Sequence, residues 1–138
     1  MIFPQLGGKI RSAVFNNLFH GRISRGNFAV AATFLLPVFL AVVFLLQMFF
    51  EKGLISQSFL AIVSNLFFWS LFVFSISLSV RRLHDIEKSG WYILLHAIPL
   101  VNIIFAFWLL FKTSDVQTNQ YGEPPNTKIG YKNILGIK

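Results

Sequence analysis

The residues most able to do chemistry lie in one short charged stretch, residues 81–91. It contains Arg81, Arg82, His84 and Asp85, in a chain of which only 12% of the residues are charged. Arginine presents its N–H donors as a planar fork that matches the oxygens of phosphate and carboxylate groups. Adjacent side chains on a helix point about 100° apart, so His84 and Asp85 make a poor acid–base pair. We therefore expect Asp85 to pair with an arginine or to cap the next turn, and we assign no catalytic residue.

A second basic motif, residues 21–25, precedes the first long apolar run and contains Arg22 and Arg25. If both motifs lie on one side of a membrane, their arginines are available to hold the phosphate of a lipid headgroup or of another ligand. The alternative is that they anchor the chain at the interface and pair with Asp85 and Glu87. The predicted headgroup-binding site consists of Arg22, Arg25, Arg81, Arg82, His84 and Asp85.

Other kinds of site find little support. The chain has no cysteine, which excludes disulfides and thiolate metal sites. One histidine beside two carboxylates, as in residues 84–87, is a weak metal motif. Neither a serine nucleophile elbow nor a phosphate-binding loop accompanies it. We therefore predict no metal and no cofactor.

Composition places these motifs in a membrane protein. Hydrophobic residues make up 55% of the 138, the mean hydropathy is +0.66, and 17 residues are phenylalanine. A soluble domain of this size cannot bury so much apolar surface, so lipid must solvate part of it. The net charge of +7 lies beside the apolar runs, which favours membrane lipids over nucleic acid as the partner.

Two uncharged runs, residues 28–50 and 59–80, are long enough to cross a bilayer as helices. At about 1.5 Å per residue, each exceeds a hydrocarbon core of roughly 30 Å. Their short connection predicts an antiparallel hairpin. Ser24 or Asn27 is expected to cap the first helix.

A third apolar run covers residues 91–111 and is interrupted by Pro99. We predict a third span with a kink at this proline; the alternative is a re-entrant pair of short helices that turns there. Ser89 and Gly90 fit a stop and a turn before it, and Trp91 fits an interfacial anchor.

Polar residues inside the apolar runs need hydrogen-bond partners in a bilayer. At 100° per residue, Ser64, Ser75 and Arg82 share one face of the second helix, with Ser79 close by. Small hydroxyls let membrane helices pack closely, and we favour packing over a polar track that leads to Arg82. His96 in the third run is likewise assigned a structural hydrogen bond.

The transmembrane domain, residues 28–111, is flanked by polar segments. Residues 1–27 are basic, and the helical spacing of apolar residues over 9–19 predicts an amphipathic helix, either in the interface or packed on the other helices. Residues 112–138 form a polar tail rich in turn residues. The predicted fold class is an all-α membrane protein: an N-terminal interfacial amphipathic helix plus three transmembrane helices, the third kinked or re-entrant at Pro99.

Lysine and arginine are enriched on the cytoplasmic side of membrane proteins. These residues precede the first apolar run and also lie between the second and third runs. The connection between the first two runs holds only Lys52. We therefore predict that the N-terminus and residues 81–90 are cytoplasmic. A third span would place the tail outside. A re-entrant segment would place it inside, where it could fold over the arginines.

Three motifs, in this order and spacing, are similar to one known family. They are Gly21-Arg22-Ile23-Ser24-Arg25 with Phe28, Arg81 to Asp85 followed by Ser89-Gly90-Trp91, and Asn119-x-Tyr121-Gly122-x-x-Pro125. Over roughly residues 15–125 the chain resembles the domain of unknown function 805, a family of small bacterial inner membrane proteins. The family usually carries Trp where Ala29 stands, so one aromatic anchor is missing. The resemblance implies a bacterial inner membrane protein without an established activity. We predict structural roles for Gly21, Ser24, Ser89, Gly90, Trp91, Pro99, Asn119, Tyr121, Gly122 and Pro125.

The leading functional prediction is a non-enzymatic membrane protein. It would bind anionic lipid headgroups or a partner membrane subunit through its arginine-rich cytoplasmic face. One alternative is a small oligomeric transporter or channel subunit, with the serine face of the second helix lining the path. The other is an enzyme that acts on a lipid headgroup with His84 and Asp85.

Overall fold

The structure, a computed structural model, describes residues 19–135 and is helical throughout this part of the chain, apart from turns and one isolated backbone bridge. An all-α fold is thus confirmed. The predicted amphipathic helix over 9–19 lies, except for Phe19, outside the described residues. The elements in chain order are α1 (Arg25–Glu51), α2 (Gln57–Asp85), a 3₁₀ helix (Gly90–Ala97), α3 (Pro99–Phe111) and α4 (Tyr131–Leu135).

The first two apolar runs form the expected antiparallel helices. Ser24 caps α1, because its hydroxyl accepts a hydrogen bond from the backbone N–H of Asn27 at 3.4 Å. Gly53 follows the end of α1 with φ +69°, and Ser56 then caps α2. At the open end of the hairpin, the N–H of Ile23 donates to the carbonyl of Arg81 at 3.2 Å.

Helices α1 and α2 are both long and apolar enough to cross a membrane. Their outer faces carry large exposed apolar side chains: Phe44 is 65% exposed, Leu66 65% and Trp69 57%. Water does not favour such a surface, and a bilayer does. These two helices are therefore typical of a membrane protein.

The second helix is longer than predicted. It continues past Val80 to Asp85, so that the charged residues form its last turn instead of a separate loop. At about 1.5 Å per residue, 29 residues extend well beyond a hydrocarbon core of roughly 30 Å. The apolar part, up to residue 80, can therefore lie in lipid while the last turn projects from it.

The third apolar run differs from the predicted single span. It is divided between the 3₁₀ helix and α3 by Ile98, whose extended conformation (φ −100°, ψ 111°) separates them. A residue before proline is disfavoured in the helical region, whereas Pro99 itself is favoured in the first turn of a helix. At 13 residues α3 is too short to cross a bilayer.

Both ends of this third run lie at the same end of α2. Gly90 is packed so closely that a β-carbon on it would lie 3.1 Å from Val80. At the other end, the carbonyls of Leu109 and Lys112 accept hydrogen bonds from Arg82. The run therefore turns back on itself at Pro99, a path that is compatible with the re-entrant alternative, and the prediction of three spans is not confirmed.

The tail then folds back over this end of the hairpin. The N–H of Asp115 donates to the carbonyl of Asp85 at 3.1 Å, and α4 packs against α1. We call residues 19–27, 81–90 and 112–135 together the basic end. Of the nine lysines and arginines in the described residues, all but Lys52 belong to it: Arg22, Arg25, Arg81, Arg82, Lys88, Lys112, Lys128 and Lys132.

Candidate functional site

Asp85 is the centre of the basic end. It stands in the last turn of α2 with 0% exposure, between two guanidinium groups. Arg22 donates from Nε to one carboxylate oxygen at 3.1 Å, and Arg82 donates from Nη1 to the other. A buried carboxylate needs such partners, because an unpaired charge is costly away from water. The predicted pairing of Asp85 with an arginine is confirmed.

Arg22 links this carboxylate to the tail. Its Nη1 donates to the carbonyls of Gln117 at 2.7 Å and Gly122 at 3.2 Å. Its Nη2 donates to the carbonyls of Asp115 and, at 3.5 Å, of Asp85. A guanidinium has five N–H groups, and each of those on Arg22 has an acceptor in the protein.

Arg82 links the same carboxylate to the end of α3. Its Nε donates to the carbonyl of Leu109 at 2.9 Å, its Nη1 to the hydroxyl of Ser114 at 3.0 Å, and its Nη2 to the carbonyl of Lys112. The last carbonyls of a helix have no partner within it and carry partial negative charge, so a cation there is favourable.

These contacts differ from the predicted headgroup contacts of Arg22 and Arg82. Both arginines are buried, and their donors are directed at carbonyls of the re-entrant run and the tail. They hold the basic end together and leave little of either guanidinium for a ligand.

Arg81 is directed elsewhere. Its Nη1 and Nη2 donate to the carbonyls of Ile134 at 2.6 Å and Asn133 at 3.0 Å, at the end of α4. Its Nε is buried and finds no hydrogen-bond partner in residues 19–135. Buried polar atoms are paired in nearly all native structures, so this donor is an exception.

A cleft of about 310 Å³ lies beside Arg81, and we call it the basic cleft. Residues 20–24 form one wall, and residues 121–126 with the start of α4 form the other. Its ionisable side chains are His20, Arg22, Arg81, Glu123 and Lys132. Arg22 shares the single charge of Asp85 with Arg82, so the charged side chains of the cleft outside that cluster are Arg81, Lys132 and Glu123. His20, Glu123 and Lys132 were not among the site residues predicted from the sequence, because they come together only when the tail folds back.

His84 packs against the turn in the tail. Its ring stacks on that of Tyr121, with centroids 3.9 Å apart and planes 6° apart, and its Nδ1 lies 3.3 Å from the carbonyl of Gly21. Asn119 donates from its amide to the carbonyl of His84 at 3.0 Å. Gly122 closes the turn at φ +121°, a conformation that other residues rarely adopt. The three sequence motifs therefore meet around this histidine.

Asn27 connects the start of α1 to the tail, whereas the sequence suggested only a helix cap for it. It is 0% exposed, and its amide nitrogen donates to the carbonyls of Asn126 at 3.3 Å and Lys128 at 3.1 Å. Its amide oxygen accepts from the N–H of Gly130 at 3.0 Å. One side chain at the start of α1 thus fixes the path of the tail.

The remaining predicted residues lie around this centre. Arg25 is exposed at the first position of α1 and lies outside the walls of the basic cleft, whereas Pro125 is part of them. Ser89 caps the 3₁₀ helix by accepting from the N–H of Trp91 at 3.4 Å, and Trp91 itself is 78% exposed.

Comparison with known proteins identifies the sequence pattern but no activity. The family model described as "Protein of unknown function (DUF805)" matches residues 17–123, which is more than half of the chain. This range includes the two basic motifs and the turn around Tyr121. Searches of curated proteins and of solved structures gave no match.

Proposed function

The chain belongs to the DUF805 family of proteins of unknown function, and we propose that it is a non-enzymatic integral protein of the bacterial inner membrane that binds the phosphate of anionic lipids in the basic cleft. Its two long helices span the bilayer, and the re-entrant run enters and leaves from one side. The tail therefore lies on the same side as residues 19–27.

The distribution of charge supports a cytoplasmic location for the basic end. All described lysines and arginines except Lys52 belong to it. Positive residues near the ends of spans favour the cytoplasmic side, where anionic lipids also attract them. Because the basic end begins where the apolar part of α2 stops, the basic cleft lies at the depth of the lipid headgroups.

The observation that carries the proposal is Arg81, which lines a cleft together with Lys132 and whose buried Nε has no hydrogen-bond partner in the described residues. A phosphate oxygen is the acceptor that best suits a guanidinium N–H, and a second cation stabilises the same anion. Arg22 and Arg82 contribute indirectly, since they hold the tail that forms one wall of the cleft.

The test is lipid binding by the purified, delipidated full chain, measured by native mass spectrometry with phosphatidylglycerol and phosphatidylethanolamine. Wild type is expected to retain phosphatidylglycerol preferentially. Arg81→Gln should weaken this binding about tenfold or more, since a charge-assisted hydrogen bond is worth about 1.5–3 kcal/mol. Lys132→Gln should weaken it about fivefold, since one cation near anionic lipid is worth about 1 kcal/mol.

Lys52→Gln is the matched control, because it removes one exposed cation at the opposite end of the hairpin and should leave binding unchanged. Lys132 is exposed and has no part in the contacts of Asp85, so its variant is expected to fold even if Arg81→Gln does not. Equal retention of the two lipids by wild type, or unchanged binding in Lys132→Gln, would overturn the proposal. In that case the basic end is better explained as an interface for a partner membrane subunit.

A further inference from the structure

A second cleft, of about 300 Å³, lies among the membrane helices just below the basic end, and we call it the apolar cleft. Helix α1 contributes Phe28 and Ala32, α2 contributes Ser75 and Ser79, the 3₁₀ helix contributes His96, and α3 contributes Ala106. Small-molecule sites are often of this kind: a mostly apolar cavity between helices with a few polar groups that orient the ligand.

The space exists because of the re-entrant run. A full third span would pack along the hairpin, whereas the short 3₁₀ helix and α3 cover only part of it. Ala32 and Ala106 face this gap with single methyl groups. Larger side chains at these two positions would fill it.

His96 is the unusual group in this cleft. Its Nδ1 is buried and has no hydrogen-bond partner in the described part of the chain, while its ring meets the face of Phe105 edge-on at 5.0 Å. A polar group at membrane depth without a partner costs several kcal/mol, and an ionisable residue there is by default a candidate for a functional site. The predicted structural hydrogen bond of His96 is absent from the described residues.

The depth of the cleft limits what can meet this histidine. Leu109 lines the cleft, and its carbonyl accepts a hydrogen bond from Arg82, so the cleft begins directly beneath the buried Asp85 cluster. Hydrocarbon chains fill a bilayer at this level, and the ester carbonyls that join them to the headgroup lie at its upper boundary. An ester carbonyl oxygen is an acceptor for an imidazole N–H.

We propose that the apolar cleft binds one acyl chain of a membrane phospholipid, with the ester carbonyl accepting a hydrogen bond from the Nδ1–H of His96. This inference rests on the membrane location proposed above, but not on headgroup binding in the basic cleft. Recognition of the lipid depends on its acyl chain and ester group, so the charge of the lipid headgroup should have little influence on binding.

The experiment therefore uses phosphatidylcholine, which carries no net charge, and the ether-linked analogue, which lacks the ester carbonyl. Delipidated full-length protein in detergent is titrated with each lipid, and retained lipid is measured by native mass spectrometry. Wild type is expected to retain one ester lipid and to bind the ether analogue about fivefold more weakly, as loss of one hydrogen bond implies. In His96→Phe the difference between the two lipids should disappear.

Ala106→Leu and Ala32→Leu should abolish retention by filling the cleft. Ala61→Leu is the control, because it adds the same group at an exposed position of α2. Equal binding of ester and ether lipids by wild type would overturn the proposal. Retention by the filled variants, or no retention by wild type, would overturn it as well. Lys132→Gln should bind phosphatidylcholine normally, so failure of the two proposed sites can be told apart.

Discussion

Replacing Asp85 with asparagine is the most direct test of how the basic end is held together. The carboxylate contacts both Arg22 and Arg82, and all three side chains are buried. Asparagine keeps the shape of the side chain but removes its charge. Its amide nitrogen is a hydrogen-bond donor, and it would face the guanidinium of either Arg22 or Arg82, which is a donor too. Removing one partner of a buried ion pair costs about 3–5 kcal/mol.

The lost stabilisation should appear first as detachment of the tail from the end of the hairpin. Arg22 and Arg82 also bind carbonyls of residues 109–122, and both can reach water if the tail moves away. A change of 3 kcal/mol or more in this local equilibrium raises the open population on the order of a hundredfold. Proteolysis of a transiently open segment follows that population when reclosing is fast.

The assay is limited trypsin digestion of the reconstituted protein, with cleavage after Lys128 and Lys132 followed by mass spectrometry. Asp85→Asn should be cut at these sites about a hundredfold faster than wild type. Glu87→Gln is the matched control, since it removes an exposed carboxylate from the same end and should change the rate less than about twofold. Equal cleavage rates in the two variants would refute the inference that Asp85, through Arg22 and Arg82, holds the tail in place.

Two further predictions follow from the same contacts. A reporter fused after Lys138 should lie on the same side of the membrane as one fused to the N-terminus, because both ends of the third run lie at the same end of α2; reporters on opposite sides would require a third span. Asn27→Ala should leave the carbonyls of Asn126 and Lys128 and the N–H of Gly130 without their side-chain partner, at a cost of about 1–3 kcal/mol. Hydrogen exchange at the Gly130 amide should then rise at least fivefold, and unchanged exchange would show that water replaces the amide equally well.

The two long helices were predictable because their cause is local. An uncharged run of more than 20 residues satisfies its own backbone only as a helix in lipid, whatever packs beside it. The same holds for Ser24, one of the two residues expected to cap the first helix, because its hydroxyl accepts from a backbone N–H only three residues further on. The end of α2 was less predictable, since a charged turn continues a helix when a partner elsewhere neutralises it.

The third run shows where local reasoning stops. Pro99 is compatible with a kinked span and with a break between two short helices. The apolar composition of the run does not distinguish the two. The difference is decided at the ends of the run, where Gly90 contacts Val80 and Arg82 binds the carbonyls of Leu109 and Lys112. These contacts join residues distant in the chain, and the apolar pattern does not encode them.

Residue type and spacing predicted the charged end of the hairpin and offered an arginine as one partner of Asp85, and the structure confirms that pairing. The predicted binding of a headgroup by the arginines stays a prediction. Helix geometry alone places Arg81 and Arg82 about 100° apart around α2. Only the tertiary structure gave each its role, because their partners come from segments distant in the chain. Arg82 meets Asp85 and the end of α3, whereas Arg81 meets α4 and the basic cleft. The sequence by itself thus determined the two long helices and the charged end, which depend on local composition; the fold of the tail decided which partner each arginine has, because those contacts join residues far apart in the chain.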